Sequence, residues 1–303
     1  MPSLRHELLA YAVPRVRRSR ELDDAERERG RLERWHSGLD RSLPTRLVRH
    51  LHQRYEVEVD RTGDFPTHVL TPRTHDVEAT VVWMHGGGFV APIDAFHVRY
   101  ADRLAQQLRA RVVLPDYPLA PEHTWADSHD ALVEITARWT ASGPTLLGGD
   151  SAGGGIAVAV AQSLRDRGHE QATGMLLLAP WVDLTTSTPS TAWFNARDPW
   201  LHLGKLKAYA EWWAGSPEDL ARPEVSPALA DLAGLPPALM FCGTRDLLLP
   251  GCRLLAGRAA EAGWPLRYVE EPGLIHVYPL LPAIPEAARA WRTTEGFLGR
   301  SFG

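Results

Sequence analysis

The stretch Leu146-Leu147-Gly148-Gly149-Asp150-Ser151-Ala152-Gly153-Gly154-Gly155 constrains the fold of this chain more than any other. An apolar run breaks into glycines around one serine and then resumes as an Ala/Val helix pattern. A strand that reverses sharply into a helix needs residues without side-chain bulk beside the turn, and Gly149 and Gly153 supply that in a G-x-S-x-G pattern. Such a turn lifts the serine hydroxyl above the sheet edge and aims the first N–H groups of the next helix at whatever the serine attacks. Glycine-flanked serines also occur in ordinary loops, so the rest of the chain must decide between a nucleophile and a structural turn.

Upstream, Thr80–Met84 reads as a buried strand that runs straight into His85-Gly86-Gly87-Gly88-Phe89. Three glycines after a strand expose consecutive N–H donors of the kind that stabilise an oxyanion, where losing one costs roughly 3 kcal/mol of barrier lowering. Neither phosphate-loop pattern, G-x-x-x-x-G-K-[ST] or G-x-G-x-x-G, fits these glycines. Downstream, the apolar strand Pro237–Cys242 is followed by Gly243-Thr244-Arg245-Asp246, and the strand Leu266–Glu270 by Pro272-Gly273-Leu274-Ile275-His276. Open parallel sheets carry their active groups just past strand C-termini. That places Ser151 as nucleophile, His276 as general base and then acid, and Asp246 as the orienting carboxylate, in the chain order Ser, Asp, His. A given histidine among thirteen is more often a surface or hydrogen-bonded residue, and a loop Asp more often a turn former. Position after consecutive strands is what distinguishes these two. Glu270 and Glu271 stay open as competing acids, less well placed, and Asp150 is too close to Ser151 to orient His276.

The motifs His85-Gly86-Gly87-Gly88-Phe89 and Gly149-Asp150-Ser151-Ala152-Gly153-Gly154 are joined by Asp116-Tyr117-Pro118-Leu119-Ala120-Pro121-Glu122-His123. In this order they resemble the hormone-sensitive-lipase-like (family IV) carboxylesterases of the α/β-hydrolase superfamily, from about Tyr55 to the C-terminus. The resemblance implies an eight-stranded, mostly parallel sheet with helices on both faces and a helical cap. It also implies hydrolysis of short to medium acyl esters, sometimes lactones or aryl amides, with no cofactor. By motif position the oxyanion hole would be the N–H groups of Gly87, Gly88 and Ala152, with His85 a structural histidine. The chain departs from the family where Asp246-Leu247-Leu248 replaces Asp-Pro-Leu, where His276-Val277-Tyr278 replaces His-Gly-Phe, and where Asp127-Ser128 replaces a Pro-Ala pair. The first two changes bear on substrate, and the segments around them look like a subgroup with lactone-hydrolysing members. Phe89, Trp181, Trp212, Trp213, Leu247, Val277 and Tyr278 are the candidate substrate-binding residues.

A net charge of −4 gives no reason to expect a nucleic-acid partner, and 44% hydrophobic residues in 303 suffice to bury a sheet on both faces. The two cysteines, Cys242 and Cys252, suit a reducing compartment and packing roles better than a disulfide scaffold. No metal-ligand pattern stands out, and no segment reaches the roughly 18 apolar residues of a membrane span. The mixed-charge start Met1-Pro2-Ser3-Leu4-Arg5-His6-Glu7 lacks a signal-peptide pattern, so the expected location is cytoplasmic. Lysine occurs only at Lys205 and Lys207 beside abundant arginine, a bias suggesting a GC-rich bacterial source.

Strands are expected at Tyr55–Val59, Thr67–Leu70, Thr80–Met84, Arg111–Leu114, Thr145–Gly148, Met175–Ala179, Ala238–Cys242 and Leu266–Val269, the first two antiparallel. Helical faces Val98/Ala101/Ala105/Leu108 and Ala131/Ile135/Trp139 separate later strands as a βαβ alternation requires. The whole chain, 1–303, reads as one domain. Two segments fall outside that alternation, about 1–50 and 184–221, and are the cap candidates. In the first, Leu22, Ala25 and Leu32 among alternating charges predict a solvated helix. The second holds Trp193, Trp200, Trp212 and Trp213 with Phe194 and Tyr209, aromatics that suit core packing, a pocket lining or a homodimer contact. Acyl transfer on the same serine, or a ligand receptor that binds without turnover, are further readings of this fold.

Overall fold

Among the described residues eight strands form one sheet: β1 (Tyr55–Asp60), β2 (Thr67–Pro72), β3 (Ala79–Met84), β4 (Ala110–Pro115), β5 (Thr145–Asp150), β6 (Gly174–Leu178), β7 (Ala238–Gly243) and β8 (Leu266–Glu271). The computed structural model describes residues 1–17, 19–61 and 63–303. Across the sheet the order is β1-β2-β4-β3-β5-β6-β7-β8. Only β2 runs against the others, since it pairs antiparallel with both β1 and β4 while every later pair is parallel. Every expected strand is present, most of them one or two residues longer. The sixth is shifted by one, because Ala179 leaves the ladder at φ 46°.

Among the described residues the ten α-helices are α1 (Leu4–Val16), α2 (Ala25–His36), α3 (Leu51–Arg54), α4 (Ala95–Leu108), α5 (His129–Thr140), α6 (Ala152–Asp166), α7 (Thr191–Asn195), α8 (Leu203–Ala214), α9 (Leu249–Glu261) and α10 (Pro285–Ser301). Every residue of β3, β5, β6 and β7 is buried, so both faces of the central sheet are covered, as their largely apolar sequences require. The edge strands β1 and β8 keep a polar, partly exposed pattern. On α4 the expected face Val98, Ala101, Ala105 and Leu108 is buried. On α5 the buried arc is rotated: Leu132, Val133, Ile135 and Thr136 face inward, while Ala131 and Trp139 sit at its rim. Guanidinium groups of Arg111 and Arg138 cover the Trp139 ring at 4.8 and 5.4 Å, a place the indole fills without entering the core.

The N-terminal segment also departs from expectation. Leu22 lies outside any helix, and α2 starts at Ala25, where Asp24 accepts a hydrogen bond from Arg27 N at 2.7 Å. One side of α2 is solvated, but Leu32 is fully buried and Glu28 is nearly so. Glu28 accepts a hydrogen bond from Tyr209 of α8 at 2.7 Å, and Gly204 N of α8 donates to Glu21 at 3.1 Å. The two segments that interrupt the strand–helix alternation therefore pack against each other.

Between β4 on one side of β3 and β5 on the other, the strand order reverses. Such a switch point opens a crevice at the strand C-termini. Here Met84 and Gly149 are register partners, so the glycine loop after β3 and the serine turn after β5 emerge side by side.

Candidate active site

Ser151 holds φ 52° and ψ −124°, a conformation L residues rarely adopt, between the last residue of β5 and the first of α6. Two backbone bonds fix it: Ser151 N donates to Leu178 O at 2.9 Å, and Trp181 N donates to Ser151 O at 2.8 Å. The flanking glycines are required by close approach. A Cβ on Gly153 would lie 2.1 Å from Met84 O, and one on Gly149 would lie 2.4 Å from Gly153 O. Among the described residues the Ser151 hydroxyl makes no hydrogen bond.

His276 and Asp246 are joined: Nδ1 of His276 and Oδ2 of Asp246 lie 2.8 Å apart, both side chains buried. The second carboxylate oxygen accepts from Leu248 N at 2.9 Å, so Asp246 is held on both sides. Burial alone would lower the His276 imidazolium below the ordinary histidine value of 6.5. The charge and hydrogen bond of Asp246, then the charges of Asp198 and Asp150, outweigh burial and leave it raised. The competing acids are otherwise engaged, Glu270 with Arg253 at 2.6 Å and Glu271 with Arg289 at 3.5 Å. Helix α1 braces this edge: Ile275 N donates to the buried His6 Nε2 at 3.1 Å, and Glu7 pairs with Arg245 at 2.9 Å.

Gly87 and Gly88 adopt φ 121° and 62°, and Ala152 opens α6. Among the described residues none of these three N–H groups has an acceptor. Asp150 ties the loop to the serine turn, accepting from Gly86 N at 3.3 Å and from Trp83 Nε1 at 3.2 Å. The Asp94 N–H donates to Nδ1 of His97 at 2.9 Å, which leaves the His97 Nε2–H to donate to Asp150 at 3.3 Å. His85 is fully buried, stacked on Tyr117 at 4.2 Å, and burial pushes it down to about 3, so it stays neutral.

The candidate pocket residues divide. Phe89 stacks on Trp213 at 4.5 Å and meets Trp181 at 5.2 Å, all three buried in one aromatic cluster that links the glycine loop to α8. Trp181 and Leu247 border a cavity of about 20 Å³ with Val182, Asp183 and Leu206, a space that neither Ser151 nor His276 lines. Trp212 lies on the flank of α8, against Tyr209 and the Arg29 guanidinium at 5.5 Å. Tyr278 turns into the core against Phe241, because Val277 before it takes φ 46°. The sequence names Tyr209 only among the aromatics of the 184–221 segment and does not single out Asp198, yet both lie near the site. Tyr209 abuts Gly88, whose added Cβ would lie 3.1 Å from its ring, and Asp198 is buried beside Asp246 and His276. Asp198-Pro199 reads locally as a turn, and no spacing rule reaches from it to Asp246.

Among the described residues no helix is long and apolar enough to cross a membrane, and no group of three or more His, Cys, Asp or Glu side chains is arranged to hold a metal ion. A family model described as the alpha/beta hydrolase fold matches residues 81–280. An acetyl-hydrolase of Streptomyces hygroscopicus is 33% identical over 230 residues, 74% of this chain and 76% of the relative. The esterase LipI of Mycobacterium tuberculosis is 34% identical, with 82% of each chain covered. A solved esterase of the bacterial hormone-sensitive lipase family superimposes with a TM-score of 0.79 at 26% identity, covering 100% of both chains. The chain belongs to the α/β hydrolases, in the hormone-sensitive-lipase-like family. It is accordingly a carboxylesterase.

Proposed function

We propose that this carboxylesterase hydrolyses short to medium acyl esters through an acyl-enzyme on Ser151. The observation that carries the reading is the buried His276–Asp246 pair at 2.8 Å, on the same sheet edge as a serine held at φ 52°. In the free enzyme such catalytic hydrogen bonds are often open and close only around substrate, which accounts for the unengaged Ser151 hydroxyl. As Ser151 Oγ attacks the ester carbonyl, His276 takes its proton, and the carbonyl π pair moves to oxygen. The unengaged N–H groups of Gly87, Gly88 and Ala152 hold that oxyanion. His276 then protonates the departing alcohol, and water repeats the two steps on the acyl-enzyme. Asp246 keeps the imidazole in the tautomer whose Nε2 faces the serine. Segments 1–50 and 184–221 act as the cap, with Tyr209 and the Phe89/Trp213 cluster setting the roof over the glycine loop.

The test is initial hydrolysis rates for 4-nitrophenyl esters from acetyl to dodecanoyl, with ε-caprolactone alongside, for wild type and a folded Ser151→Ala variant. Short esters should be turned over by wild type and at least about a thousandfold more slowly by the variant. Comparable rates for the two proteins would remove Ser151 from the mechanism. Faster ring opening of the lactone would reassign the substrate class and keep the nucleophile.

A further inference from the structure

Asp198 belongs to the loop between α7 and α8, far from the sheet in sequence, yet its carboxylate is buried. Oδ1 accepts from Trp200 N at 2.7 Å and Leu201 N at 2.9 Å, and Oδ2 accepts from Leu247 N at 2.7 Å. Leu247 directly follows Asp246, and the Trp200 ring meets the His276 ring at 5.6 Å and 76°. One carboxylate thus joins the peptide carrying the orienting acid to the indole flanking the base. The contact depends on Leu247 having an N–H, at a position where the resembling family often carries proline.

The charged groups facing Asp198 are Asp246, on the loop after β7, and His276, on the loop after β8; Asp150 also faces His276. Buried carboxylates that share one neutral imidazole repel each other, and the repulsion is compensated once the imidazole becomes imidazolium. That ion forms as Ser151 gives up its proton.

We propose that Asp198 is a positioning residue for ester hydrolysis: it fixes the Asp246 loop and Trp200 around His276, and its negative charge favours the imidazolium over the neutral ring. The proposal rests on the Ser151–His276–Asp246 reading. Burial first, and then the Asp246 charge, push the Asp198 carboxyl up to about 6, with His276 pulling the other way. Above that pH the charge is present, which is where the base has to work.

The experiment measures kcat and KM for 4-nitrophenyl butyrate from pH 5 to 9 in wild type, Asp198→Asn and Ser151→Ala, with active-site titration to count competent enzyme. In Asp198→Asn, kcat should fall about tenfold with KM within about twofold. The acid limb of kcat/KM should move about one pH unit lower, because the imidazolium loses a neighbouring negative charge. A role confined to folding would reduce the titratable fraction and leave the limb in place, and that result overturns the proposal. If Asp198→Asn does not fold, Leu247→Pro removes the facing N–H while keeping the carboxyl. That loss raises the Asp198 carboxyl, so the limb should move the same way by less, and an unmoved limb overturns the proposal. Full activity in Ser151→Ala would instead overturn the triad reading beneath it.

Discussion

The C-terminal edge of the sheet and the helical layer over it are held in place by different means. At the edge, each candidate catalytic residue lies within a few positions of a strand end, and parallel ladders set the spacing between strands. The layer above rests on the Phe89/Trp213 stack and is tied by single polar side chains reaching across the sequence: Tyr209 to Glu28 at 2.7 Å, Ser3 Oγ to Glu286 at 2.9 Å, and Leu247 N to Asp198 at 2.7 Å. Backbone ladders tolerate little error, whereas a side-chain tie can be cut alone. Substitutions at the edge should therefore abolish turnover or folding, and substitutions in the layer should retune it.

The largest effect expected is at Asp246. Asp246→Asn keeps the shape but lets the imidazole take the wrong tautomer, and kcat should fall about 10⁴-fold with thermal unfolding little changed. A loss under tenfold would put the edge and the layer on equal footing. Next is Gly153→Ala, whose Cβ would collide with Met84 O at 2.1 Å and His85 O at 2.4 Å. Because the colliding atoms are backbone, relief requires the serine turn to move, at a cost of about 3 kcal/mol or more in chemical denaturation. Wild-type stability in this variant would contradict the packing described for the turn.

Smaller effects are expected in the layer. Tyr209→Phe cuts the tie to Glu28 and should change KM for longer acyl chains by up to about tenfold while kcat for acetate esters stays within about threefold. Equal losses across the acyl series would show that Tyr209 acts at the edge. Glu28 is held down at about 2, first by its hydrogen bonds from Arg31, against burial, and then by Tyr209. A carboxyl lowered in the folded state contributes stability above its ordinary 4.5 and loses it as pH falls toward 2. Hydrogen exchange should therefore show α2 and α8 opening before the sheet as pH falls through that window. For the edge itself the sign is opposite: His276 is raised above 6.5, and it must be neutral to accept a proton. The midpoint of the acid limb of kcat/KM should then lie above 6.5, and a midpoint near 5 would contradict the charge environment assigned to the imidazole.

The same contrast explains what was legible in the sequence. Strands and turns at the edge announce themselves locally: Val81 to Met84 before three glycines, Gly149 and Gly153 around Ser151, an Asp and a His just past apolar runs. The layer does not, because nothing near Glu28 in sequence points to Tyr209, and nothing near Asp198 points to Leu247. On α5 the misreading was one of rotation, since Ala131 and Trp139 satisfy a helical period as well as Leu132 and Thr136 do, and only the sheet beneath chooses between them. Tyr278 shows a further limit, because its approach to the core against Phe241 depends on the positive φ of Val277, a residue type that gives no such signal.

The most direct test of the central claim is to locate a trapped covalent intermediate. Incubation with diethyl 4-nitrophenyl phosphate, which transfers its phosphoryl group to an activated serine and releases 4-nitrophenolate, should add one diethylphosphoryl mass per chain. Peptide mapping should place that mass on Ser151, with no addition in Ser151→Ala. A stoichiometric adduct on another residue, or ester hydrolysis that persists in the folded Ser151→Ala variant, would contradict the account.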